Sequence, residues 1–217
     1  MSGSMPRLII IRHGETEWSL NGLDTGRSDI PLTERGVEQI KSKAPFLVGD
    51  GKLVDTVNLH IVLVSPRKRA HDTFHHLTDH LSQSPNHQIT ELVREWDYGD
   101  YEGLKSHEIN AKQPGWSIWK DGCPNGESVE EMTARVDCVI GDVREYHRKW
   151  KEEGQGTRDV VIVAHGHFNR CLIARWVGLP LAEGTKFNVE PAGFAILSYN
   201  HNSLQEPALN ALNLNAM

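Results

Sequence analysis

The sequence predicts an α/β fold, a three-layer αβα sandwich around a mostly parallel sheet. Two observations predict it: short apolar runs rich in β-branched residues recur along the chain, and amphipathic segments with helical spacing separate them. This alternation is typical of a parallel sheet with helices on both faces. The chain has 217 residues and shows no internal repeat, so we predict a single domain over residues 1–217.

Apolar runs place the strands, and helical spacing with capping signals places the helices. The strands are predicted at residues 7–12, 60–65, 89–93, 159–167 and 193–200. The helices are predicted over about 34–48 behind Thr33 as N-cap, from Pro66 onward, from the Ser128–Glu131 capping box to about 151, and over 168–178. Residues 96–127 are rich in glycine and aromatic residues, which predicts a long excursion with one short helix near 104–111.

Both chain ends are predicted to lie outside the packed domain. Residues 1–4, "MSGS", resemble a vector-derived remnant, and they are excluded from the fold prediction. Residues from about 203 to 217 carry no clear pattern and predict a loose tail.

Composition and charge exclude several classes of partner. The formal net charge of −6 argues against broad electrostatic binding to nucleic acid or to an anionic membrane. No apolar run approaches the length of a membrane span or resembles a signal peptide. Three cysteines without metal-type spacing fit a reducing compartment, so a cytoplasmic location is predicted. These features make no prediction of the oligomeric state.

Polar side chains collect where the predicted strands end. They are Arg12 and His13 after the first strand, Ser65, Arg67 and Arg69 after the second, Arg94 and Glu95 after the third, and His165, Gly166 and His167 at the fourth. Ligands of open α/β sheets bind in the crevice beyond the carboxyl ends of the strands. We therefore expect these cations, imidazoles and one carboxylate to converge on a single crevice.

This set of side chains suits the transfer of a phosphoryl group. Arginine forks bind a phosphoryl dianion, a neutral histidine can attack phosphorus, and a carboxylic acid can protonate the leaving alkoxide. The sequence contains no Walker lysine loop and no carboxylate cluster typical of a magnesium site. Neither a metal nor another cofactor is therefore predicted.

Four histidines offer a metal-binding alternative. They are His71, His75, His76 and His80, two pairs of which have i, i+4 spacing. The glutamate of an H-E-x-x-H site is missing, and His75 and His76 face different sides of a helix. A solvated helix flank is the favoured interpretation.

Four segments resemble, in order, the motifs of the histidine phosphatase superfamily, the phosphoglycerate mutase-like proteins. They are "RHGETEW", "SPRKRAHDT", "LVREWDYGDYEG" and "VIVAHGH", and the resemblance covers about residues 7 to 200. The resemblance implies a metal-independent enzyme of that fold, with His13 as the nucleophile that becomes phosphohistidine, Glu95 as the proton donor and His165 as the third catalytic residue.

The same resemblance implies the substrate contacts. The phosphate pocket would be formed by Arg12, Arg69 and His165 with the backbone of Gly166, and the family's first loop would meet substrate at Ser19, Thr25 and Gly26. Tyr98 and His167 are further candidates for substrate contact, although His167 could instead cap the helix behind it. One of Trp116 and Trp119 is expected to line the pocket.

One branch of the superfamily is resembled most, the fungal sedoheptulose-1,7-bisphosphatase-like phosphatases. The segments "REWDYGDYEG" and "WSIWKDGCPNGES" carry this resemblance. That branch has a long insert before its final strand, where this chain has only "LPLAEGTKFNVEPA". The expected substrate is therefore a small phosphorylated sugar or polyol: a sedoheptulose bisphosphate-like compound, a pentose or pentitol phosphate, or similar.

The sequence supports two alternative functions less well than hydrolysis. A mutase is disfavoured because the region from Trp96 to Gly126 offers few cations and many aromatic side chains, which suit a neutral hydroxylated ligand. His167 also stands where mutases of this family usually carry asparagine. A non-catalytic phospho-sugar-binding protein is disfavoured because both His13 and Glu95 are present.

Overall fold

The computed structural model describes residues 4–214, so most of the "MSGS" segment and residues 215–217 lie outside the described part. Within it, six strands form one sheet in the order β3-β2-β4-β1-β5-β6. The strands are β1 (Arg7–Arg12), β2 (Leu59–Val64), β3 (His87–Ile89), β4 (Asp159–Ala164), β5 (Phe194–Tyr199) and β6 (Pro207–Leu214). Strands β1, β4, β2 and β3 are parallel to one another, whereas β5 is antiparallel to β1 and to β6.

Helices flank the sheet and fill its crossovers. They are α1 (Glu17–Asn21), α2 (Glu34–Leu47), α3 (Lys68–Thr78), α4 (Ser106–Lys112), α5 (Ile118–Asp121), α6 (Val129–Glu153) and α7 (Gly166–Trp176). Thr33 caps α2, and Ser128 with Glu131 forms the capping box of α6, as predicted. No helix in residues 4–214 is both long enough and apolar enough to cross a membrane.

The core has two halves, one on each face of the sheet. In β1, Leu8 and Ile10 pack into the half that includes residues of α6 and α7, whereas Ile9 and Ile11 pack into the half that includes residues of α2 and α3. Alternate residues of a strand point to opposite faces, so a strand with both faces covered is apolar at every position. The predicted three-layer sandwich and the mostly parallel sheet are confirmed.

Several element bounds differ from the prediction. Strand β3 ends at Ile89, because the Thr90 hydroxyl accepts the Leu92 N–H and starts a 3-10 turn over Glu91–Val93. Helix α3 begins at Lys68 instead of Pro66, and α7 begins at Gly166 inside the run predicted as strand. The excursion holds two short α-helices, α4 and α5, instead of one, together with a 3-10 turn over Gly99–Tyr101.

The predicted loose tail is wrong for residues 207–214. These residues form β6, which pairs antiparallel with β5 from Tyr199↔Pro207 to Phe194↔Leu214. Leu209 and Leu212 pack against the core. Two register shifts interrupt this pairing, so the apolar positions lose the strict alternation by which a strand is recognised in sequence.

Candidate active site

A small cavity of about 200 Å³ opens at the carboxyl ends of β1 and β4. Of the residues that the sequence singled out, it is lined by Arg12, His13, Ser19, Thr25, Glu95, Tyr98, Gly166 and His167. Arg69 and His165 lie buried outside its open lining. The crevice rule therefore located the cavity, while the roles of its residues stay predictions.

His13 is held as a neutral imidazole with one nitrogen available. Its Nδ1 lies 2.7 Å from the Gly14 carbonyl, and since a carbonyl oxygen only accepts, Nδ1 carries the proton. Burial, and then the positive charges of Arg69 and Arg12, lower the pKa of His13 well below its ordinary value. The unprotonated Nε2 is consequently the nitrogen that can attack phosphorus.

His165 lies next to His13 and is fully buried. The two ring centroids are 5.3 Å apart, with an angle of 60° between the ring planes. His165 Nε2 lies 2.7 Å from Ser65 Oγ, and Nδ1 has no hydrogen-bond partner within residues 4–214. Burial, followed by the charge of Arg69, lowers the pKa of His165 well below its ordinary value. When the Ser65 hydroxyl donates to Nε2, Nδ1 carries an N–H that can donate to a phosphoryl oxygen.

Arg12 and Arg69 each use part of the guanidinium group to hold a loop. Arg12 Nη1 donates to the Val189 carbonyl at 2.7 Å. Arg69 donates to the carbonyls of Ser28, Thr25 and Gly26 at 2.8–3.2 Å. The Nε of each arginine is buried and has no acceptor in the described part of the chain. Each arginine therefore keeps a charged N–H group that could donate a hydrogen bond to a phosphoryl oxygen.

Arg67 and Arg69 both follow β2, and the structure gives their side chains different surroundings. It forms an ion pair with Glu91 at 3.1 Å and stands at the N-cap of α3. Arg69 is 1% exposed, and its charge lowers the pKa of both His13 and His165. Arg67 also has a buried Nε without an acceptor in the described part of the chain, and its charge lowers the pKa of His165 less than that of Arg69 does, whereas the pKa of His13 is lowered by Arg69 and Arg12.

Glu95 is fixed by the first turn of α7. Its carboxylate accepts the backbone N–H groups of Trp96, His167 and Phe168 at 2.8–3.0 Å. The side chain is buried, at 6% exposure, yet lines the cavity. A carboxyl group with so constrained a position can deliver a proton to one defined point.

Replacing Glu95 with glutamine is expected to reduce kcat by about 10²- to 10⁴-fold for substrates with alkoxide leaving groups. The loss should be much smaller for p-nitrophenyl phosphate, whose leaving group departs as a stabilised anion without a proton. The measurement is kcat for both substrates, with thermal melting to confirm folding. Glu130→Gln, an equivalent change on the exposed face of α6, is the control. Equal losses for both leaving groups would contradict a proton-donor role.

The three predicted contacts of the first loop have different environments. The Ser19 hydroxyl belongs to the capping box of α1 with Thr16, and the Thr25 hydroxyl donates to the Leu23 carbonyl at 3.1 Å, yet both residues line the cavity. Gly26 does not line it, and its N–H donates to the Glu102 carboxylate. A Cβ at Gly26 would lie 2.5 Å from the Trp96 carbonyl oxygen, so close packing requires a glycine here, while its contact with substrate stays a prediction.

Tyr98 and His167 form a hydrogen-bonded pair in the cavity wall. Tyr98 Oη lies 2.6 Å from His167 Nδ1. Burial lowers the pKa of His167 to about 3 and raises the pKa of Tyr98 well above its ordinary value, so the pair is neutral. His167 lies inside the first turn of α7, whose N-cap is His165, so it does not cap this helix. Its backbone N–H donates to Glu95 and the residue lines the cavity, so its contact with substrate stays a prediction.

Neither Trp116 nor Trp119 lines the cavity, which differs from the prediction. Trp119 stacks behind it, 5.1 Å from the His167 ring and 4.7 Å from the Arg170 guanidinium carbon. Trp116 packs against Tyr101 and donates to the Gly122 carbonyl. Trp119 thus packs the excursion against α7, and Trp116 packs within the excursion itself.

Several cavity-lining residues were missed from the sequence. Prominent among them are Asp24, Arg170, Asn188 and Val189. Arg170 follows Gly166 by four residues, so helical spacing could have placed it on the same face of α7. Asp24 directly precedes Thr25, and its acidity in a loop predicted to meet substrate was a usable signal. No local signal marks Asn188 or Val189, which arrive from the chain segment before β5.

The four histidines of the α3 region do not share a common centre. His75 and His71 face each other with their Nε2 atoms 3.3 Å apart, His76 lies 3.4 Å from Asp79, and His80 lies 2.9 Å from the Val48 carbonyl. Across residues 4–214, no three His, Cys, Asp or Glu side chains group in a way that could hold a metal ion.

Known proteins are similar to this chain in both sequence and architecture. The family model for the histidine phosphatase superfamily (branch 1) matches residues 8–212. An acid phosphatase of Mycobacterium tuberculosis is 40% identical over 195 residues, which span 90% of this chain and 87% of that protein. A sedoheptulose 1,7-bisphosphatase of Saccharomyces cerevisiae is 32% identical, over 96% of this chain and 93% of that protein. The solved structure of an open reading frame of M. tuberculosis has a TM-score of 0.81 at 35% identity, over 97% of this chain and 98% of that one.

Proposed function

The chain belongs to branch 1 of the histidine phosphatase superfamily and is a phosphatase, and from this premise we propose that it hydrolyses small sugar or polyol phosphates through a phosphohistidine at His13. The observation that carries the proposal is the neutral His13, whose Nε2 is unprotonated beside the buried donors of Arg12, Arg69 and His165. These donors match the charge of a phosphoryl group.

The proposed reaction has two steps. In the first, His13 Nε2 forms a bond to phosphorus, the ester P–O bond breaks, and protonated Glu95 gives its proton to the leaving oxygen. In the second, a water molecule forms a bond to phosphorus while the Glu95 carboxylate accepts its proton, the bond between phosphorus and His13 Nε2 breaks, and inorganic phosphate leaves with Glu95 protonated again. Arg12, Arg69 and His165 would stabilise the phosphoryl oxygens throughout.

The cavity supports a small, hydroxylated substrate. Its volume of about 200 Å³ suits a compact phosphoester, and besides the cations Arg12 and Arg170 its wall contains two carboxylates and the neutral Tyr98–His167 pair. The sedoheptulose 1,7-bisphosphatase among the relatives supports a sugar phosphate as the substrate class. A cytoplasmic location remains part of the proposal, and three free cysteines, of which Cys138 is exposed, support it.

The proposal predicts a covalent phosphoenzyme on a histidine. Brief mixing with a ³²P-labelled polyol phosphate, followed by denaturation, should yield labelled protein whose phosphate is lost in acid and retained in alkali. His13→Asn should abolish the label, because asparagine can still donate to the Gly14 carbonyl but has no Nε2. Label that persists in this variant, or hydrolysis of every substrate in a panel of C3 to C7 phosphates without any label, would refute the intermediate. EDTA should leave the rate of phosphate release unchanged.

A further inference from the structure

Asp24 is a carboxylate in the wall of the catalytic cavity that the proposed phosphoryl transfer does not use. Its side chain has no hydrogen-bond or ion-pair partner among residues 4–214. Glu95 is the other cavity carboxylate, but three backbone N–H groups occupy it. The carboxylate oxygens of Asp24 can therefore accept hydrogen bonds from a substrate in the cavity.

The backbone of Asp24 is fixed, so its side chain keeps a defined place. The Asp24 N–H donates to the Leu104 carbonyl at 3.0 Å, and the Asp24 carbonyl accepts the Gly103 N–H at 2.8 Å. The preceding residue, Leu23, forms an antiparallel bridge with Lys105. Asp24 and Glu95 line the same cavity of about 200 Å³, which brings Asp24 within reach of the leaving group of a small substrate bound there.

We propose that Asp24 selects the leaving group: it accepts hydrogen bonds from hydroxyl groups next to the ester and disfavours a carboxylate or a second phosphate at that place. The inference rests on the proposed phosphatase function and names its substrate class more narrowly. Asp24 is a specificity-determining residue in this scheme, whereas His13 and Glu95 carry out the chemistry. A leaving group rich in neutral hydroxyls satisfies it, and an anion at the same distance is repelled.

The surrounding charges decide when Asp24 is ionised. Burial, and then the negative charges of Glu95 and Glu102, raise the pKa of Asp24 to about 7. The other titratable groups in the cavity wall are Arg12, Arg170, His13, Glu95, Tyr98 and His167. Arg12 and Arg170 are the cations of the wall, but neither forms an ion pair with Asp24 within residues 4–214, and the charges that act on the pKa of Asp24 are those of Glu95 and Glu102. Discrimination against anions should thus be strong above pH 7 and weaker below it.

A matched pair of substrates isolates this effect. Glycerol 3-phosphate and 3-phosphoglycerate share a three-carbon skeleton and differ in one terminal group, a hydroxymethyl in the first and a carboxylate in the second. At pH 8.5, the wild-type ratio of kcat/KM should favour glycerol 3-phosphate, and Asp24→Asn should reduce that ratio by about tenfold. Asp142→Asn, which removes the same charge from an exposed position on α6, should leave the ratio unchanged.

The wild-type enzyme provides a second test that needs no variant. Its ratio should fall as the pH is lowered from 8.5 to 5.5, because Asp24 gains a proton, while the phosphate groups of the two substrates titrate alike and cancel. A ratio that is unaffected both by Asp24→Asn and by pH would overturn the role of Asp24 while leaving the phosphatase proposal intact. Failure of the wild-type enzyme to hydrolyse either substrate, or any other polyol phosphate, would overturn both.

Thermal melting reports the charge of Asp24 independently of substrate. When folding raises the pKa of a carboxyl group, the folded state binds the proton more tightly than the unfolded state does. Above the unfolded pKa, loss of that proton therefore lowers the free energy of unfolding. Asp24→Asn should therefore melt at a higher temperature than wild type at pH 8.5, and the difference should shrink toward pH 4. A difference that does not depend on pH would contradict the half-buried, unpaired state of this carboxyl.

Discussion

Replacing His13 with alanine should lower kcat/KM for a polyol phosphate by about 10⁴-fold or more. The mutation removes the nitrogen that forms the bond to phosphorus, and no other group in the cavity can take its place. His165 is the nearest candidate, but its Nε2 is engaged with Ser65. The measurement is release of inorganic phosphate under kcat/KM conditions, with the wild type and the variant purified in parallel.

Two further variants separate chemistry from packing at this position. His13→Asn keeps a donor for the Gly14 carbonyl and should be as inactive as His13→Ala, since neither has an Nε2 nucleophile. His107→Ala removes an exposed histidine of α4 and should retain wild-type activity. If His13→Asn keeps more than a few per cent of the activity, water attacks the substrate directly and the covalent mechanism fails.

The parts of this protein that could be predicted from sequence are those that depend on local pattern. Leu8 to Ile11 are apolar without interruption because helices cover both faces of β1, and this run alone identifies a buried parallel strand. Thr33 and Ser128 cap the helices that follow them, and capping is decided within four residues. The rule that ligands bind beyond the carboxyl ends of the strands then predicts where the cavity lies, and it needs no knowledge of side-chain contacts.

The parts that could not be predicted depend on contacts between distant segments. Gly26 sits against the carbonyl of Trp96, and nothing near residue 26 reveals which backbone will approach it. Asp24 became part of the cavity wall through hydrogen bonds to residues 103 and 104, about 80 positions away. Strand β6 was missed because its bulges break the alternation of apolar residues. In each case the missing information is which distant segment of the backbone will pair with the residue or pack against it, and the local sequence does not contain it.

The segment that carries Glu95 depends on a buried ion pair. Glu127 is 4% exposed, and its carboxylate accepts two hydrogen bonds from Arg135 on α6, each 2.7 Å long. Arg135 also donates to the carbonyls of Leu92 and Arg94, so one guanidinium fastens residues 92–94 to the helix. Glu127 in turn accepts the N–H of Asp97. Glu95 therefore lies between two points that the same ion pair holds.

Replacing Arg135 with methionine should lower the free energy of unfolding by about 3 kcal/mol. The cost arises because the Glu127 carboxylate remains buried and keeps a single charged partner, Arg94, at 3.2 Å. We expect a fall of about 6–12 °C in melting temperature for a chain of this size. The catalytic rate should also decrease, since Glu95 loses the anchor of the preceding residues, while KM changes less.

Two comparisons decide whether the buried charge is the cause. Arg148→Met removes a half-exposed arginine that pairs with Glu145 and Glu153 on the surface, and the melting temperature should stay within about 1–2 °C of wild type. The double variant Arg135→Met, Glu127→Gln removes both buried charges and should recover part of the stability that Arg135→Met loses, because no uncompensated carboxylate remains. Equal or greater instability of the double variant would show that packing of the arginine side chain, and not the stranded charge of Glu127, accounts for the loss.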